Sequence, residues 1–204
     1  IEGIGRVATN ATMAAATGGL VAMAYVYPRL KKWDIGITVN GFLAGLVAIT
    51  APCYWVNVTG AVLIGAIAGV LMVLIVDLIE HLRIDDPIGA VAVHGIAGIW
   101  GTISLGLFAT GQFGLPGPNG ADTSTVVKGL FWGGGIHQLW AQVFGSAVIT
   151  ISVIVVGLVL MQLVKLTGTL RISEEGELEG IDIHEHGSPA YHPESAFLGG
   201  VSYG

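Results

Sequence analysis

A single histidine, His94, lies inside a stretch of 35 residues, 87–121, that carries no formal charge. An imidazole titrates near neutral pH, and its neutral form donates a hydrogen bond from one ring nitrogen and accepts at the other. Such a ring is costly in a membrane-length apolar segment and commonly marks a transport path or a proton relay. His94 is therefore our first candidate functional residue, and a structural hydrogen bond between helices is the alternative.

Two further polar groups are placed where they could assist this histidine. Asp86 can accept the free N–H groups of a first helical turn and Pro87 fits that turn, which predicts a supporting structural role for both. Thr50 places a hydroxyl beside the helix break expected at Pro52. That hydroxyl either contacts a small polar molecule or bonds back to its own helix.

The composition indicates the kind of elements that must position these residues. Hydrophobic residues make up 53% of the chain, only 11% are charged and the mean hydropathy is +0.77, whereas soluble domains carry about 25% charged residues. Continuous apolar runs of this length favour helices over barrel strands. We predict an all-α integral membrane bundle over residues 1–164, with a tail at 165–204 and five spans at 7–27, 35–54, 58–76, 87–110 and 136–164.

The distribution of positive charge predicts the orientation of these spans. Most lysines and arginines fall on the side of the tail, and the positive-inside rule then places the tail in the cytoplasm and the amino end outside. The chain begins with Ile1 and shows no export signal before Val7, so we interpret it as a fragment or one part of a split protein. The tail-side residues are Arg29, Lys31, Lys32, Arg83, Lys165 and Arg171.

Glycines within the predicted spans follow spacings that allow close helix packing in a bilayer. At 100° per residue, four small residues lie within about 60° of His94, which predicts that the imidazole faces protein or a narrow cavity. Gly95 and Gly98 are accordingly assigned structural support. The spaced glycines are Gly41 with Gly45, Gly65 with Gly69, and Gly95, Gly98 and Gly101; the small residues near the histidine are Ala90, Ala97, Gly98 and Gly101.

Several other classes of function find no support in the sequence. Because Cys53 is the only cysteine, an intrachain disulfide is excluded, and we assign this residue no role. The sequence contains no paired nucleophile and base, no P-loop and no metal signature, so we do not predict an enzyme. The tail histidines 184, 186 and 192 lack the spacing and cysteine companions of a metal site, so we predict no metal and no cofactor. The net charge of −6 comes mostly from the tail, and nucleic-acid binding is not expected.

Four segments carry a resemblance to a known family. The segment DDPIGAVAVHGIAGIWG, residues 85–101, closely resembles the second pore-histidine region of the ammonium transporters, relatives of the Rhesus glycoproteins. The others are NGFLAGLVAITAPC at 40–53, HQLWAQ at 137–142 and LRISEEGELEGIDIHEHGSPAY at 170–191. They follow the family order over nearly the whole chain, which therefore resembles the carboxyl-terminal half of an ammonium transporter.

The resemblance implies a homotrimer of eleven-span protomers, each built from two inverted five-helix repeats and a long last helix. The five spans here would be the last five, with His94 as the pore histidine of the second repeat and Thr50 as a pore-side contact. The first-repeat histidine and the aromatic outer recruitment site would come from a missing amino-terminal half or a companion chain. The resemblance places the protein in the plasma or inner membrane.

The chemistry of the expected cargo explains a histidine in such a pore. A bare ammonium ion is strongly disfavoured in a low-dielectric path, whereas ammonia loses far less, so deprotonation before or during passage is favoured. Burial favours a neutral imidazole that can guide the molecule and relay its proton. A membrane sensor of ammonium and a structural fragment completed by a partner chain remain as alternatives.

By resemblance, the tail contributes regulation. In the family this region packs against neighbouring protomers and helps dock PII-type nitrogen-regulatory proteins, and residues 170–191 retain the pattern. The assigned regulatory residues are Arg171, Glu179, Gly180, His186 and Gly187.

Overall fold

The structure, a computed structural model, describes residues 2–117 and 120–190 and is mostly helical there. Four helical segments are long and apolar enough to cross a membrane, namely Gly3–Leu30, Val58–His81, Val91–Phe108 and Ile136–Leu166. The predicted helical architecture is confirmed at this level. The helices are α1 (Glu2–Leu30), α2 (Ile35–Thr50), α3 (Val58–His81), a π-helical turn (Val91–Ile96) continued by α4 (Ala97–Phe108), α5 (Ile136–Leu166), α6 (Glu174–Glu179) and α7 (Ile181–His186).

Helix α2 is shorter than the span expected over residues 35–54. It has 16 residues and ends at Thr50, two residues before Pro52, after which the chain forms turns up to the start of α3. Asn57 caps α3, and its side-chain oxygen accepts the Gly60 N–H at 2.8 Å. The second spanning segment therefore remains a prediction, because the helix alone is too short to be counted with the other four.

Neighbouring helices α1 to α4 run in alternating directions. Thr17 of α1 donates to the Val62 carbonyl of α3, and near the other end Arg29 pairs with Asp77 at 2.7 Å, so α1 and α3 are parallel. Helix α2 is antiparallel to α1, because residues 14 and 18 of α1 meet residues 45 and 41 of α2. We refer to the two ends of this bundle as the Arg6 end and the Arg29 end.

Glycines at the crossings of α1 allow the helix backbones to approach each other. A Cβ at Gly18 would overlap the Gly41 carbonyl oxygen and lie 3.1 Å from the Gly45 Cα. A Cβ at Gly65 would overlap the Ala14 carbonyl, and one at Gly69 would overlap the Gly18 carbonyl. Two of the three predicted glycine sets thus lie where α1 meets α2 and α3. The core around them is dominated by fully buried alanines, Ala14, Ala22, Ala44, Ala48, Ala61 and Ala68.

Helix α4 packs on α2 and α3, and it also contacts the first part of α5, which runs antiparallel to it: Gly106 lies beside Leu139 and Thr102 beside Ser146. A Cβ at Gly101 would overlap the Ala48 carbonyl of α2, and Trp100 Nε1 donates to the Ile64 carbonyl of α3 at 3.0 Å. Thr102 and Ser146 share a hydroxyl–hydroxyl hydrogen bond across α4 and α5. Asn40 of α2 lies beside Gly89 and Ala48 beside Gly101, so α4 is parallel to α2.

The connection from α4 to α5 contains an antiparallel strand pair that the sequence did not predict. Strand β1 (Leu115–Gly117) pairs with β2 (Gly120–Asp122), with Leu115 opposite Asp122. The connection is tied to the turn between α2 and α3, since the Tyr54 hydroxyl donates to the Gly114 carbonyl at 2.8 Å. The Thr110 N–H donates to the Trp55 carbonyl at 2.9 Å.

Substituting Gly18 by alanine tests the close approach of α1. The new Cβ would collide with backbone atoms, which cannot move away as a flexible side chain can, so we expect a loss of about 1 to 3 kcal/mol in stability. The measurement is the thermal unfolding midpoint of the detergent-purified protein containing this segment. Gly5→Ala, also in α1, is the matched control because nothing lies within 4 Å of a Cβ there, and an equal loss in both variants would contradict the packing interpretation.

Candidate functional site

The turn before the π-helical segment is organised by Asp86. Its Oδ1 accepts the Ala90 N–H at 2.8 Å and its Oδ2 accepts the Val91 N–H at 2.9 Å. The π-helical segment begins at Val91, so Pro87 lies in the preceding turn and not in the first helical turn as expected. The chain reverses at Gly89, whose φ of 70° favours glycine. One carboxylate thus satisfies two N–H groups of the helix start.

This turn is also fixed to α2. Asn40 Nδ2 donates to the Ile88 carbonyl at 3.0 Å, and a Cβ at Gly89 would lie 3.1 Å from the same amide nitrogen. The side chain of Asn40 therefore sets the distance between α2 and the start of the helix that carries the histidine.

His94 lies in the π-helical turn. The Ala97 N–H bonds to the Ala92 carbonyl, five residues earlier, in place of the four-residue step of an α-helix. Such turns often occur at functional sites. A π-helical turn is wider than an α-helical one, so each residue rotates by less than the 100° assumed from the sequence. As a result His94 does not share the face of Ala97 and Gly101: those two residues are buried, whereas His94 is exposed.

The imidazole of His94 has no hydrogen-bond partner within residues 2–117 and 120–190, so both ring nitrogens are available there. Its neighbours Ala92 and Val93 are buried against the bundle. The ring is therefore presented on a surface of the chain by a backbone that is itself firmly packed.

Gly95 and Gly98 differ from Gly101 in what surrounds them. A Cβ at Gly95 would meet only the Val91 side chain at 3.8 Å, and one at Gly98 only the Val47 side chain at 3.8 Å. Both are ordinary contacts. Within the described residues these two glycines are not required for backbone approach, and their supporting role stays a prediction.

Thr50 lies at a different depth from His94. Its side chain is exposed and its hydroxyl donates to the Leu46 carbonyl at 2.8 Å, which is the back-bond considered from the sequence. Val47 is level with Gly98, so Thr50 lies three residues towards the Arg6 end and His94 four residues towards the Arg29 end. At about 1.5 Å per residue the two are about 10 Å apart along the bundle by this contact, and about 13 Å apart by the contact between Ala48 and Gly101.

Sequence analysis missed Asn10, a fully buried residue of α1. Its Nδ2 donates to the carbonyls of Cys53 and Val56 at 2.8 and 2.9 Å, two acceptors that the break after α2 leaves without helical partners. Its Oδ1 is buried with no partner among the described residues. The available signal was an amide inside an apolar run, the same kind of signal that singled out His94.

Arg6 was also missed, and it joins three segments at its end of the bundle. Its guanidinium carbon lies 3.4 Å from the ring centroid of Phe113 and 5.0 Å from that of Tyr54. These cation–π contacts tie α1 to the α2–α3 turn and to the connection before β1.

Contacts divide the chain near residue 150, and the tail is described by itself. Ser173 caps α6 by accepting the Gly176 N–H at 3.1 Å, and α7 ends at Gly187, φ 66°. The tail forms the two short helices α6 and α7, for which no prediction was made from the sequence. Gly180 joins the two helices with φ 105°. The Glu179 Oε2 lies 3.3 Å from the His184 Nδ1. The Arg171 Nη1 lies 3.8 Å from the Glu177 Oε1, and both of these side chains are exposed.

Metal-ligating side chains do not cluster in the part of the chain that the structure describes, where three or more His, Cys, Asp or Glu never come close enough to hold an ion. His192, one of the three tail histidines considered from the sequence, lies outside the described residues, as does Tyr191 at the end of the resembling tail segment.

Comparison with known proteins places this arrangement in a family. Residues 2–191 match the Ammonium Transporter Family. The ammonium transporter Amt2 of Archaeoglobus fulgidus is 42% identical over 91% of this chain, and a putative ammonium transporter of Synechocystis is 39% identical over 94%. The chain belongs to the ammonium transporter family. It spans 38% of the length of each of these two relatives.

Solved structures of family members share the fold. A protein described as a sensor Amt protein matches with a TM-score of 0.75 and 34% identity, covering 90% of this chain and 42% of that one. Mep2 of Saccharomyces cerevisiae matches with a TM-score of 0.71 and 30% identity, covering 83% and 38%. With its apolar helices, this family member is a multi-pass membrane protein.

Replacing Asp86 by asparagine tests the cap at the histidine-bearing helix. The amide offers a single acceptor and turns its NH₂ towards a backbone N–H, so we expect a loss of about 1 kcal/mol and faster hydrogen exchange at Ala90 or Val91. Asp85→Asn is the matched control, because the Asp85 side chain makes no hydrogen bond in residues 2–117 and 120–190. Equal exchange in the two variants would show that the cap is dispensable.

Acidification tests the turn that closes the tail. The N–H of Ala190, 2.8 Å from Asp182 Oδ2, holds the pKa of that carboxyl below its ordinary value of 3.8. A lowered folded pKa stabilises the turn above pH 3.8, and this contribution is lost as pH falls through the folded pKa. We expect the Ala190 amide resonance to shift below about pH 4. Asp182→Asn keeps the acceptor without the titration, so a persisting shift in that variant would assign it to another group.

Proposed function

We propose that this chain is part of an ammonium transporter, in which His94 lines a narrow hydrophobic path for ammonium nitrogen. The observation that carries the proposal is the exposed imidazole on a firmly packed π-helical turn within an apolar helix, without a hydrogen-bond partner in the part of the chain that the structure describes. A histidine that served only to hold two described helices together would bond to one of them. The family match over residues 2–191 supplies the cargo class.

The chemistry follows from the solvation of the cargo. An ammonium ion entering an apolar path loses its water shell at a high energetic cost, and transfer of one proton to a nearby acceptor leaves neutral ammonia, which crosses more easily. A neutral imidazole accepts that proton at one nitrogen while its other nitrogen keeps its own. Return of the proton to ammonia on the far side restores both species.

Thr50 forms a second, separate position on the proposed path. With its hydrogen donated to Leu46, the hydroxyl oxygen still offers lone pairs to an N–H donor. The depth difference of about 10 to 13 Å means that a single ammonium nitrogen cannot contact both residues at once. The path thus has one polar contact nearer the Arg6 end and one nearer the Arg29 end.

The wider assembly is part of the same proposal. The protein is a homotrimer in the cell membrane with its carboxyl end in the cytoplasm, and other parts of the complete transporter supply the remaining spans and pore residues. The tail residues Arg171, Glu179, Gly180, His186 and Gly187 contribute a surface for a PII-type regulatory protein. The lysines and arginines of the Arg29 end support this orientation.

A sensor on the same fold is the second candidate. It is favoured by the likeness to the structure described as a sensor Amt protein, with a TM-score of 0.75. A sensor would bind ammonium at its membrane domain without a requirement for net passage, so transport measurements separate the two functions.

Replacing His94 by lysine in the complete transporter tests the pore assignment. A fixed positive charge on the path repels the cation and removes the proton acceptor, so we expect loss of methylammonium uptake with the trimer intact by size-exclusion chromatography. His81→Lys is the matched control, an exposed histidine at the end of α3. Unchanged uptake in the His94 variant would overturn the pore assignment.

The same preparation separates transporter from sensor. Uptake of methylammonium into proteoliposomes by the unmodified protein supports transport. Saturable ammonium binding without uptake would favour the sensor and contradict the transporter.

A further inference from the structure

Helix α1 ends in a conformation that normally belongs to glycine. Lys31 follows Leu30 with φ 54°, and its N–H donates to the Tyr27 carbonyl at 2.8 Å. A side chain is strained in this left-handed region, which is why glycine commonly occupies it at helix ends. This chain uses Gly168 after α5 and Gly187 at the end of α7 in the same way, with φ of 76° and 66°. A lysine thus occupies a position at the end of α1 where the backbone conformation favours glycine.

Neither Lys31 nor its neighbour Lys32 forms an ion pair with any residue that the structure describes. Lys31 and Lys32 are both exposed, and neither lies within 4 Å of a carboxylate in residues 2–117 and 120–190. Arg29, two residues earlier, is paired with Asp77. The turn after α1 thus presents two adjacent ammonium groups whose partner is not among these residues.

An aromatic pair lies beside the two lysines. The rings of Tyr27 and Trp33 are stacked, with centroids 4.0 Å apart, and Trp33 is 61% exposed. Tyrosine and tryptophan concentrate at the membrane–water interface, where an apolar ring and a polar edge are both satisfied. Leu30 and Ile35 are exposed on either side of the lysines. The surface therefore combines apolar groups with unpaired positive charge.

We propose that Lys31 and Lys32 bind the phosphate of an anionic phospholipid, with Tyr27 and Trp33 at the boundary between headgroup and acyl chains. A phospholipid matches both halves of the surface, since its phosphate pairs with the ammonium groups and its chains cover the exposed leucine and isoleucine. A free phosphate ion would match the charges alone. The site is separate from the proposed path and does not depend on the proposed function.

Arg83 provides an internal comparison. It ends α3 in the same left-handed conformation, φ 57°, and the Ile84 N–H closes the turn on the Ile79 carbonyl at 3.1 Å. Its chain neighbours include Glu80 and Asp85, two of the carboxylates that line a cavity of about 460 Å³ at this end of the bundle. Asp34 is the only carboxylate within three residues of Lys31 or Lys32, whereas Glu80, Asp85 and Asp86 all lie within three residues of Arg83. The excess of negative charge around Arg83 disfavours a phosphate there, so the same backbone feature predicts no lipid site at Arg83. The cavity's carboxylates are Asp34, Asp77, Glu80, Asp85 and Asp86.

The test is lipid binding to the complete transporter in detergent, measured by native mass spectrometry with phosphatidylglycerol and phosphatidylcholine. Lys31→Gly relieves the backbone and removes the charge, so we expect equal or higher thermal stability together with about fivefold weaker phosphatidylglycerol binding. Lys31→Gln keeps the strained backbone and should weaken binding to the same degree. Lys32→Gln should do likewise, and Arg83→Gly should raise stability without changing lipid affinity.

Each outcome decides the proposal. Selective loss of phosphatidylglycerol binding in the Lys31 and Lys32 variants, with phosphatidylcholine binding unchanged, supports it. Unchanged phosphatidylglycerol affinity in Lys31→Gln, or an equal loss in Arg83→Gly, overturns it. Displacement of the lipid by millimolar inorganic phosphate would identify a free-anion site and overturn it as well.

Discussion

The bundle depends on the contact of helix α1, backbone against backbone, with α2 and α3. In a bilayer the hydrophobic effect does not drive helices together, so association depends on van der Waals contact at short range. Only residues without a Cβ permit the distances seen at Gly18, Gly45 and Gly65. With α1 held between its neighbours, polar contacts also form at both of its ends.

Those polar contacts complete the arrangement at each end. At one end Asn10 satisfies two carbonyls freed by the break after α2, and at the other Arg29 pairs with Asp77 of α3. The first of these is the more consequential, because an unpaired buried carbonyl costs more than an exposed ion pair contributes. The helix break beside Thr50 is therefore tolerated because of an amide on a different helix.

Features governed by composition and spacing were predictable, whereas those governed by tertiary contacts were not. The length of the uncharged apolar runs predicted the apolar helices. The spacing of the glycines indicated where another helix backbone comes close to α2 and α3. The partner in those approaches, α1, carries the small residues Ala14, Gly18 and Ala22 at four-residue spacing, a pattern that a comparison of glycine pairs alone does not reveal. Helix α2 ends at Thr50, four residues before the predicted end of the second span, because Asn10 stabilises the turn at 51–56 in addition to the local hydrogen bonds around Pro52.

The histidine shows the same division. His94 and Asp86 were found from residue type and position, but periodicity assumed a regular helix and assigned the histidine to the face of Gly101. The π-helical turn, with the Ala97 N–H bonded to the Ala92 carbonyl, lies between the start capped by Asp86 and the close contact at Gly101. No pattern of hydrophobic residues signals it.

The π-helical turn contains one residue more than an α-helical turn would. Insertion or deletion of this one residue would therefore change the direction in which the histidine points. Loss of one residue between 91 and 96 would restore a regular helix and rotate everything before it by about 100° relative to Gly101. The packing of α4 on α2 would be untouched, while the imidazole would point in another direction. The helix thus separates the residues that anchor it from the residue that it displays.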